Sequence, residues 1–429
     1  MKDWLGNAIA RGELIDDWLS PKRQTSLALL RDSKWPTRRT EAWKYTPVKA
    51  VERAALAADA RDRDVVAKES KQYSVDGFPE FGMDSIRIKF IDGVPSEDLS
   101  LLDLPKGLSI ISLAAASSDC NSWVKDAYAS IKPERHLFGL VNDVLAEGGV
   151  IIDVEEGAVI ERPIYIENVL SKNEETHTRI LARMGRGSKA TIVEHFHGNE
   201  QSLNTGFSEF ALAENAELEH YRFALQYGEA VSIGGGHFQL ASNAILNSTI
   251  VGFGSDLSRL DIDVSHVGEH AHAKLNALYL LNGKELFDLH STIEHIAPNG
   301  TTVENVRGIV ADRARAVFNG RIHIHRDAQK TLADLNNRNL LLSDKAEINT
   351  KPELEIYADD VRCSHGATIA EINKESLFYL QSRGISRANA QVMLSFGFIN
   401  ELVDQMPNEL MAEWLRPQLR QRFALMDVK

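Results

Sequence analysis

The chain has 429 residues, of which 43% are hydrophobic and 25% are charged, a composition typical of globular proteins with more than one domain. A formal net charge of -13 argues against a nucleic-acid groove or an anionic membrane surface, because both partners bind clustered Lys and Arg. The two cysteines, Cys120 and Cys363, are too few for a disulfide framework and fit a reducing compartment. Residues 1–12 hold no sustained apolar segment and no stretch approaches the length of a membrane span, so we expect a soluble, cytoplasmic protein.

Residues 1–146 are predicted to form a mostly helical N-terminal domain. Helical character is found in residues 17–31, 54–64, 121–131 and 136–145. Residues 85–91 instead alternate between apolar and polar side chains, as a β-strand does. Residues 35–47 combine aromatic and basic side chains, which occur on nucleotide or RNA surfaces as well as in packing turns. Because this segment is short and the chain is acidic, we interpret it as a packing turn.

Residues 147–370 are predicted to form a β-rich core that is built from a repeat. After Gly148 and Gly149, short alternating strands separated by Gly, Asn and Asp continue as far as Pro352. Alanines recur there in similar surroundings, mostly about 26 to 30 residues apart: Ala190, Ala216, Ala244, Ala273, Ala316 and Ala346. A coil that cannot bury its apolar face alone must stack on its neighbours, and a small residue fits its crowded interior corner. A parallel β-helix explains this stretch better than a sandwich, whose turns would recur every ~8 to 12 residues.

Histidines occur in the predicted core as pairs with one residue between the two members. The pairs are His195 and His197, His270 and His272, and His323 and His325. On a strand, residues two apart share a face, which is the geometry of two imidazole ligands. No Cys, Asp or Glu repeats beside these pairs in a metal-site spacing. We therefore interpret them by default as exposed histidines on the wall of the coil, with a metal site as the alternative.

Nucleotide binding is not predicted for this chain. Gly234–Gly236 is a triple glycine, but it lacks the Lys-Ser/Thr pair that a phosphate loop needs. The pattern G-x-x-x-x-G-K-[ST] is absent from the whole sequence. If ATP takes part in the function, another chain must bind it.

A soft ligand lies beside an imidazole in the segment Ala358–Thr368, which reads ADDVRCSHGAT. If this segment is a strand, Cys363 and His365 share one face, roughly 6.5 Å apart along the backbone. Two ligands are half of a tetrahedral site, so a thiophilic ion held here needs further ligands, which another chain can supply. The alternative is a half-buried cysteine next to a solvated histidine.

Residues 371–429 are predicted to form a C-terminal helical domain. One helix spans residues 375–383 and ends at Gly384, and Ser386 caps a second helix that carries many apolar side chains. Residues 414–423 close the chain with an amphipathic segment. The apolar side chains of the second helix fit a docking face as well as ordinary core packing.

Seven motifs in this sequence closely resemble those of the SufB/SufD family of iron-sulfur cluster assembly proteins. They are Thr40–Thr46, Gly320–Ile322, Ala328–Thr331, Asn339–Ser343, Pro352–Ile356, Asp359–Thr368 and Phe378–Gly384. The resemblance is dense over roughly the C-terminal quarter of the chain and weaker through the core. Within the family the sequence is more similar to the SufD branch, because SufB members have added cysteines and this chain has none between Cys120 and Cys363. Without further thiolates this chain could not hold a four-cysteine cluster alone, so we expect it to be the supporting subunit.

The resemblance implies a mainly β fold, with a right-handed parallel β-helix core flanked by N-terminal and C-terminal helical domains. It also implies a cytoplasmic complex with a SufB-like subunit and two copies of a SufC-like ATPase, and a transient iron-sulfur cluster at the SufB-SufD interface. His365 would face the SufB-like subunit and support iron acquisition and cluster formation, with Cys363 beside it as a ligand or a structural residue. A reduced flavin would belong to the whole complex. The docking site for the ATPase is expected at Phe396, Phe398, Ile399, Leu402 and Val403.

Two other functions remain open from the residues alone. In the first, the chain is a stand-alone cysteine enzyme in which His365 activates Cys363 and Asp359 or Asp360 orients the imidazole. In the second, it is a β-helix polysaccharide enzyme, which the lack of a clear acid pair on one strand face disfavours. Whether the isolated chain forms a homodimer is also open.

Overall fold

Two long β-sheets form the centre of the molecule. The computed structural model describes residues 4–61, 82–116, 122–171, 173–198 and 200–426, so that Cys120 lies outside the described residues. Its helices are α1 (Trp4–Gly12), α2 (Ser20–Asp32), α3 (Lys49–Arg61), α4 (Ser122–Ala127), α5 (Leu137–Leu145), α6 (Lys374–Ser382), α7 (Arg387–Val403) and α8 (Glu409–Leu425), with 3₁₀ turns at Glu41–Trp43 and Leu99–Leu101.

The strands run almost without interruption from Gly148 to Glu371. The first strands are β1 (Ile86–Ile91), β2 (Val94–Pro95), β3 (Leu108–Ser112), β4 (Gly148–Val154), β5 (Ile164–Val169), β6 (Glu175–Met184), β7 (Lys189–His197), β8 (Ser202–Leu212), β9 (Glu217–Ala224) and β10 (Ala230–Leu240). The later strands are β11 (Ile245–Gly252), β12 (Leu257–His266), β13 (His272–Leu281), β14 (Leu286–His295), β15 (Thr301–Val310), β16 (Arg315–Ile324), β17 (Leu332–Leu341), β18 (Glu347–Ile356) and β19 (Arg362–Glu371).

Successive strands from β4 onward alternate between the two sheets. One sheet, called the odd-numbered sheet from its main strands, has the order β19-β17-β15-β13-β11-β9-β7-β5-β1-β2, and the other, called the even-numbered sheet, has the order β18-β16-β14-β12-β10-β8-β6-β4-β3. From β4 to β19, neighbours within a sheet are parallel, and each pair of strands completes one coil. The chain is therefore a parallel β-solenoid of about 8 turns with helices at both ends, which confirms the predicted fold class.

The same corner of six successive coils contains a residue in the left-handed region, with φ between 56° and 65°. These residues are Gly187, Asn215, Asn243, His270, Asn299 and Lys330. Each donates its backbone N–H to the next coil; Asn215, for example, donates to the carbonyl of Ser242 at 3.0 Å. Glycine and asparagine tolerate this conformation best. The row of left-handed residues at this corner, called the left-handed ladder below, therefore explains why Gly and Asn recur between the strands.

Four of the recurring alanines, Ala190, Ala216, Ala244 and Ala273, lie at or near these corners, whereas Ala316 and Ala346 lie at the opposite corner, where the chain enters β16 and β18. Ala216 and Ala244 directly follow corner residues and are completely buried. Each donates its N–H at 3.1 Å to the carbonyl three residues earlier, which closes the turn. A larger side chain would not fit there, because packed interiors leave few voids. The 28-residue interval between these two alanines is therefore the length of one coil.

The helical domains cover opposite walls of the solenoid. Trp4 and Phe138 pack with Phe207 and Ile233, which belong to the even-numbered sheet. The C-terminal helices α7 and α8 bury their apolar side chains against the odd-numbered sheet, for instance at Phe223. No helix in the described parts of the chain is both long and apolar enough to cross a membrane.

The aromatic segment at residues 35–47 is a packing turn, as predicted. The rings of Trp35 and Trp43 lie 5.7 Å and 5.3 Å from the ring of Phe138. The guanidinium of Arg259 lies 4.1 Å from the centre of the Trp43 ring. These aromatic side chains attach the N-terminal domain to the solenoid.

Candidate functional site

At its C-terminal side the solenoid has no cap among the described residues. Strands β18 and β19 are the last strands of their sheets, and each pairs with one neighbour only. Eight of the ten residues of β19 are exposed, whereas ten of the eleven residues of the central strand β10 are buried. An edge with unpaired backbone groups is a template for pairing with another chain. The final coil therefore has the form of an interior coil whose next neighbour is missing.

Cys363 and His365 lie on this final coil and face the same side, as predicted. In the parallel register, Cys363 is opposite Ala333 and His365 is opposite Leu335. Ala333 and Leu335 are buried in the core, with 4% and 0% exposure. Residues paired across a parallel sheet point to the same face, so Cys363 and His365 point toward the interior side of the coil. Because no further coil covers that side, both side chains line the open end.

The two side chains differ in their surroundings. Cys363 has a free thiol, is half-buried and packs against the main core cluster. Burial raises the pKa of the Cys363 thiol, and a backbone hydrogen bond from Ala333 opposes this only in part. The thiol is therefore protonated at neutral pH. His365 is exposed and makes no hydrogen bond or ion pair within the described parts of the chain.

The candidate orienting carboxylates do not support the cysteine-enzyme alternative. Asp359 and Asp360 lie in the corner between β18 and β19. The backbone of Asp360 accepts the N–H of Lys330 at 2.5 Å and donates its own N–H to Gln329 Oε1 at 2.9 Å. Neither carboxylate bonds to His365 in the described structure. With a protonated thiol and no oriented base, the pair lacks the features of an activated nucleophile.

The expected docking residues on α7 divide into two groups. Ile399, Leu402 and Val403 have 0% exposure and pack beneath the helix against the solenoid. Their side chains are covered in this conformation, and as docking residues they remain a prediction. Phe396 and Phe398 are half-buried, and as docking residues they remain a prediction.

Exposed apolar side chains lie instead on α6 and the outer side of α7. Phe378, Tyr379 and Met393 are 72%, 56% and 53% exposed. Sequence reasoning missed them because an apolar side chain on a helix is first assigned to the core. The family motif Phe378–Gly384, which lies beyond the last strand, could have drawn attention to Phe378 and Tyr379.

The histidine pairs have three different environments. His195 and His197 are buried, with 1% and 2% exposure, and the His195 ring lies 5.6 Å from Trp414 of α8. The default interpretation as exposed wall histidines is therefore wrong for this pair, because the C-terminal helices cover that wall. His270 is a corner residue of the left-handed ladder, and its neighbour His272 is half-buried.

The third pair, His323 and His325, is partly exposed on the opposite wall and lies beside Glu294. The carboxylate comes from the preceding coil, 29 residues before His323. Sequence reasoning missed it because only neighbours along the chain were compared. A comparison of positions one coil length apart in the sequence could have identified Glu294.

Comparisons with known proteins identify the family to which the chain belongs. A model of the SufBD core domain of the SUF system for FeS cluster assembly matches residues 167–398, and one of the SufBD protein N-terminal region matches residues 12–166. Iron-sulfur cluster assembly protein SufD of Escherichia coli (strain K12) is 30% identical over 94% of this chain and 93% of its own length. An iron-sulfur cluster assembly SufBD family protein of Synechocystis sp. is 30% identical over 91% and 88%, and the chloroplastic protein ABCI7 of Arabidopsis thaliana is 26% identical over 95% and 89%. This chain therefore belongs to the SufB/SufD family of iron-sulfur cluster assembly proteins and is SufD-like.

Proposed function

We propose that this chain is the non-catalytic SufD-type scaffold subunit of a cytoplasmic complex with a SufB-like subunit and a SufC-like ATPase. The observation that carries the proposal is the uncapped final coil, which presents Cys363 and His365 on its interior-facing side. A SufB-like chain with the same solenoid fold supplies the missing coil by pairing with β18 and β19. Strand addition to an open edge gives affinity through backbone hydrogen bonds.

The nascent cluster is the cargo of this interface. One thiol and one imidazole are two donors of borderline and soft character, suited to iron. They complete half of a coordination sphere, and the partner's thiolates complete the rest. An incomplete site suits a cluster that must later leave, because a cluster held by one chain with four thiolates would be retained. His365, exposed and without a partner in the described chain, is the group available to receive iron.

ATP hydrolysis belongs to the partner, since the sequence lacks a phosphate loop. We assign the docking surface for the SufC-like ATPase to the exposed aromatic side chains of α6, Phe378 and Tyr379, and to Met393, which is exposed on the neighbouring helix α7. Contiguous exposed apolar side chains on a monomer mark interaction sites. This surface is attached through α7 to the solenoid wall, so movement of the ATPase can be transmitted to the open end.

The interface with the SufB-like chain is tested by replacing Ile369 with Glu. Ile369 lies on β19 and is 44% exposed, so the isolated variant should fold normally. A carboxylate buried in the interface without a partner costs several kcal/mol, and we expect an affinity loss of roughly a hundredfold. The measurement is co-purification of a tagged SufB-like chain with Ile369→Glu. Val94→Glu, at a position that is 61% exposed on the remote strand β2, is the matched control. Equal recovery of the SufB-like chain with both variants would refute the proposed interface.

The ATPase surface is tested by Phe378→Ser. An exposed aromatic side chain that becomes buried at the centre of an interface contributes about 2 kcal/mol or more, so we expect about thirtyfold weaker binding of the SufC-like ATPase. Binding of the SufB-like chain should be unchanged, because β18 and β19 are untouched. Leu410→Ser is the control, since Leu410 is 55% exposed at the start of α8. Pull-down of purified ATPase measures the difference, and unchanged binding by Phe378→Ser would place the docking surface elsewhere.

A further inference from the structure

Three potential metal ligands converge on the outer wall of the even-numbered sheet. Glu294 Oε2 lies 2.6 Å from His323 Nδ1 and 2.8 Å from His325 Nε2. The two imidazole rings are 4.2 Å apart between their centres. The three ligand atoms all lie within 4.8 Å of one another. This compact group is separate from the open end that holds Cys363 and His365.

The solenoid builds this arrangement from its register. Glu294 of β14 pairs directly with His323 of β16, so the carboxylate of one coil is adjacent to the imidazole of the next. His325 follows two residues later and faces the same side. The intervening Ile322 and Ile324 are completely buried, which places the two histidines on the outer face. The geometry therefore follows from strands that the core holds in place.

The surroundings of the three ligands favour a divalent cation. Arg321 Nη1 donates a hydrogen bond to the other oxygen of Glu294, Oε1, at 3.1 Å. Hydrogen bonds of this kind orient the side chains that bind metal ions. Arg321 is also paired with both oxygens of Glu355, at 2.8 Å and 2.7 Å. Two carboxylates and one guanidinium leave a net charge of -1 beside two imidazoles. The site is therefore negative although it contains an arginine.

The exposure of the ligands provides a route for entry and an open coordination position. The side chains of Glu294, His323 and His325 are 23%, 18% and 41% exposed. In a tetrahedral site with bonds of about 2.0–2.1 Å, ligand atoms lie about 3.3 Å apart, so the two imidazole nitrogens must move away from Glu294 Oε2 by about 0.5 to 0.7 Å to admit an ion. Partly exposed imidazole rings can make such shifts. A fourth position remains open to solvent or to another molecule.

We propose that Glu294, His323 and His325 form a binding site for a first-row divalent transition-metal ion of the Zn²⁺ or Fe²⁺ class. Two imidazoles and one carboxylate with an open position are typical ligands of these ions, whereas Mg²⁺ and Ca²⁺ prefer oxygen ligands only. The ion takes the place of the two ring protons that now point at Glu294, and each proton moves to the other ring nitrogen. This site does not depend on the proposed role of the open end.

A second group of three, His136, His237 and Asp263, is a weaker candidate. The guanidinium of Arg135 pairs with Asp263, and His136 lies in the contact between the N-terminal domain and the solenoid with 10% exposure of its side chain. His237 is completely buried beneath it. This group lacks an entry route and an open position, and its hydrogen bonds attach the two domains to each other.

The proposal is tested by titrating the purified full-length chain with Co²⁺ and Zn²⁺. The starting chain carries Cys363→Ser and His365→Ala, so that binding at the open end does not contribute. We expect one Co²⁺ per chain, with a visible absorption band and a raised melting temperature. The double variant His323→Gln/His325→Gln should lose at least about tenfold in affinity, and Glu294→Gln should also lose about tenfold, since its amide accepts the ring hydrogen bonds but is a poor ligand.

The matched control is the double variant His270→Asn/His272→Gln. These two histidines have the same spacing, but no third ligand accompanies them in the described structure. Asn tolerates the left-handed conformation of His270 at φ 59°, so the corner should be retained. The control should bind Co²⁺ as the starting chain does. Stoichiometric binding that survives the loss of both His323 and His325, or a folded starting chain that binds no Co²⁺ or Zn²⁺, would overturn the proposal.

Discussion

The complex that carries His365→Ala is expected to assemble normally and to form iron-sulfur clusters at least about tenfold more slowly than the parental complex. The imidazole is exposed at the open end, so its removal leaves the fold and the strand edge intact. It removes one of the two donors that we propose for this chain, and loss of a ligand group commonly costs one or more orders of magnitude in metal affinity. The measurement is the growth of the cluster absorbance on the co-purified complex supplied with Fe²⁺ and a sulfide source.

The control for this experiment is His272→Ala. His272 is a half-buried histidine of the same odd-numbered sheet, several coils away from the open end. It should leave both complex formation and cluster growth unchanged. Cys363→Ser separates the two roles left open for the thiol, since a ligand role lowers the rate and a structural role leaves it near the parental value. Cluster formation by His365→Ala at the parental rate, in an intact complex, would contradict the proposed role of the open end.

The open end itself is an unusual feature of a solenoid. Free strand edges promote association, and natural proteins commonly cover or charge them. Here Cys363 and His365 of the last coil are paired with Ala333 and Leu335, which are core residues of the coil before it. A chain that functioned alone would be expected to cap such an edge. The absence of a cap over the described part of the edge is therefore consistent with the proposed pairing with a second solenoid.

Much of this structure follows from local rules in the sequence. Gly and Asn at the corners, together with buried alanines such as Ala216 and Ala244, predict a coil of about 28 residues because the same corner recurs. Strand alternation predicts that Cys363 and His365 share a face. These features are short-range, so a single chain segment contains the information needed to infer them.

The features that sequence reasoning missed depend on contacts between distant segments. Glu294 joins His323 only through the register of two coils, which a search for neighbouring ligands cannot find. The burial of His195 depends on α8, more than two hundred residues later. Likewise, Ile399 and Phe378 are both apolar helix residues, and only the docking of α7 on the solenoid decides that Ile399 is buried and Phe378 is exposed.

A buried ionic network connects the segment before α5 to the solenoid, and Glu209 is its centre. Glu209 is completely buried on β8 and accepts the backbone N–H groups of Ala129, Ile131 and Lys132 at 2.8–2.9 Å. Arg179 Nη2 donates to the same carboxylate at 2.5 Å. Burial opposes the charge of Glu209, but Arg179 and Lys132 outweigh it and hold the pKa of this carboxyl below its usual value. Both oxygens of the Glu209 carboxylate therefore accept hydrogen bonds.

Substitution of Glu209 by Gln should be strongly destabilising. Gln has nearly the same shape, but its NH₂ group faces backbone donors and Arg179 loses a charged partner. Breaking a buried pair in this way costs about 3–5 kcal/mol. The measurement is urea unfolding followed by circular dichroism, together with hydrogen exchange of residues 129–132. Glu156→Gln, which removes an exposed carboxylate 3.9 Å from Arg186, should change the free energy of unfolding by less than about 0.5 kcal/mol.

The pH dependence of the same pair gives an independent check. The folded pKa of Glu209 is lower than its unfolded value, so its stabilisation is complete above about pH 4.3 and is lost as the pH falls toward the folded pKa. The difference in stability between the parental chain and Glu209→Gln should therefore shrink on acidification. A difference that stays constant down to the acid transition would mean that the shape of the side chain matters and its charge does not. Slow exchange at residues 129–132 in Glu209→Gln would contradict the anchoring role of the carboxylate, because those amides would then have another partner.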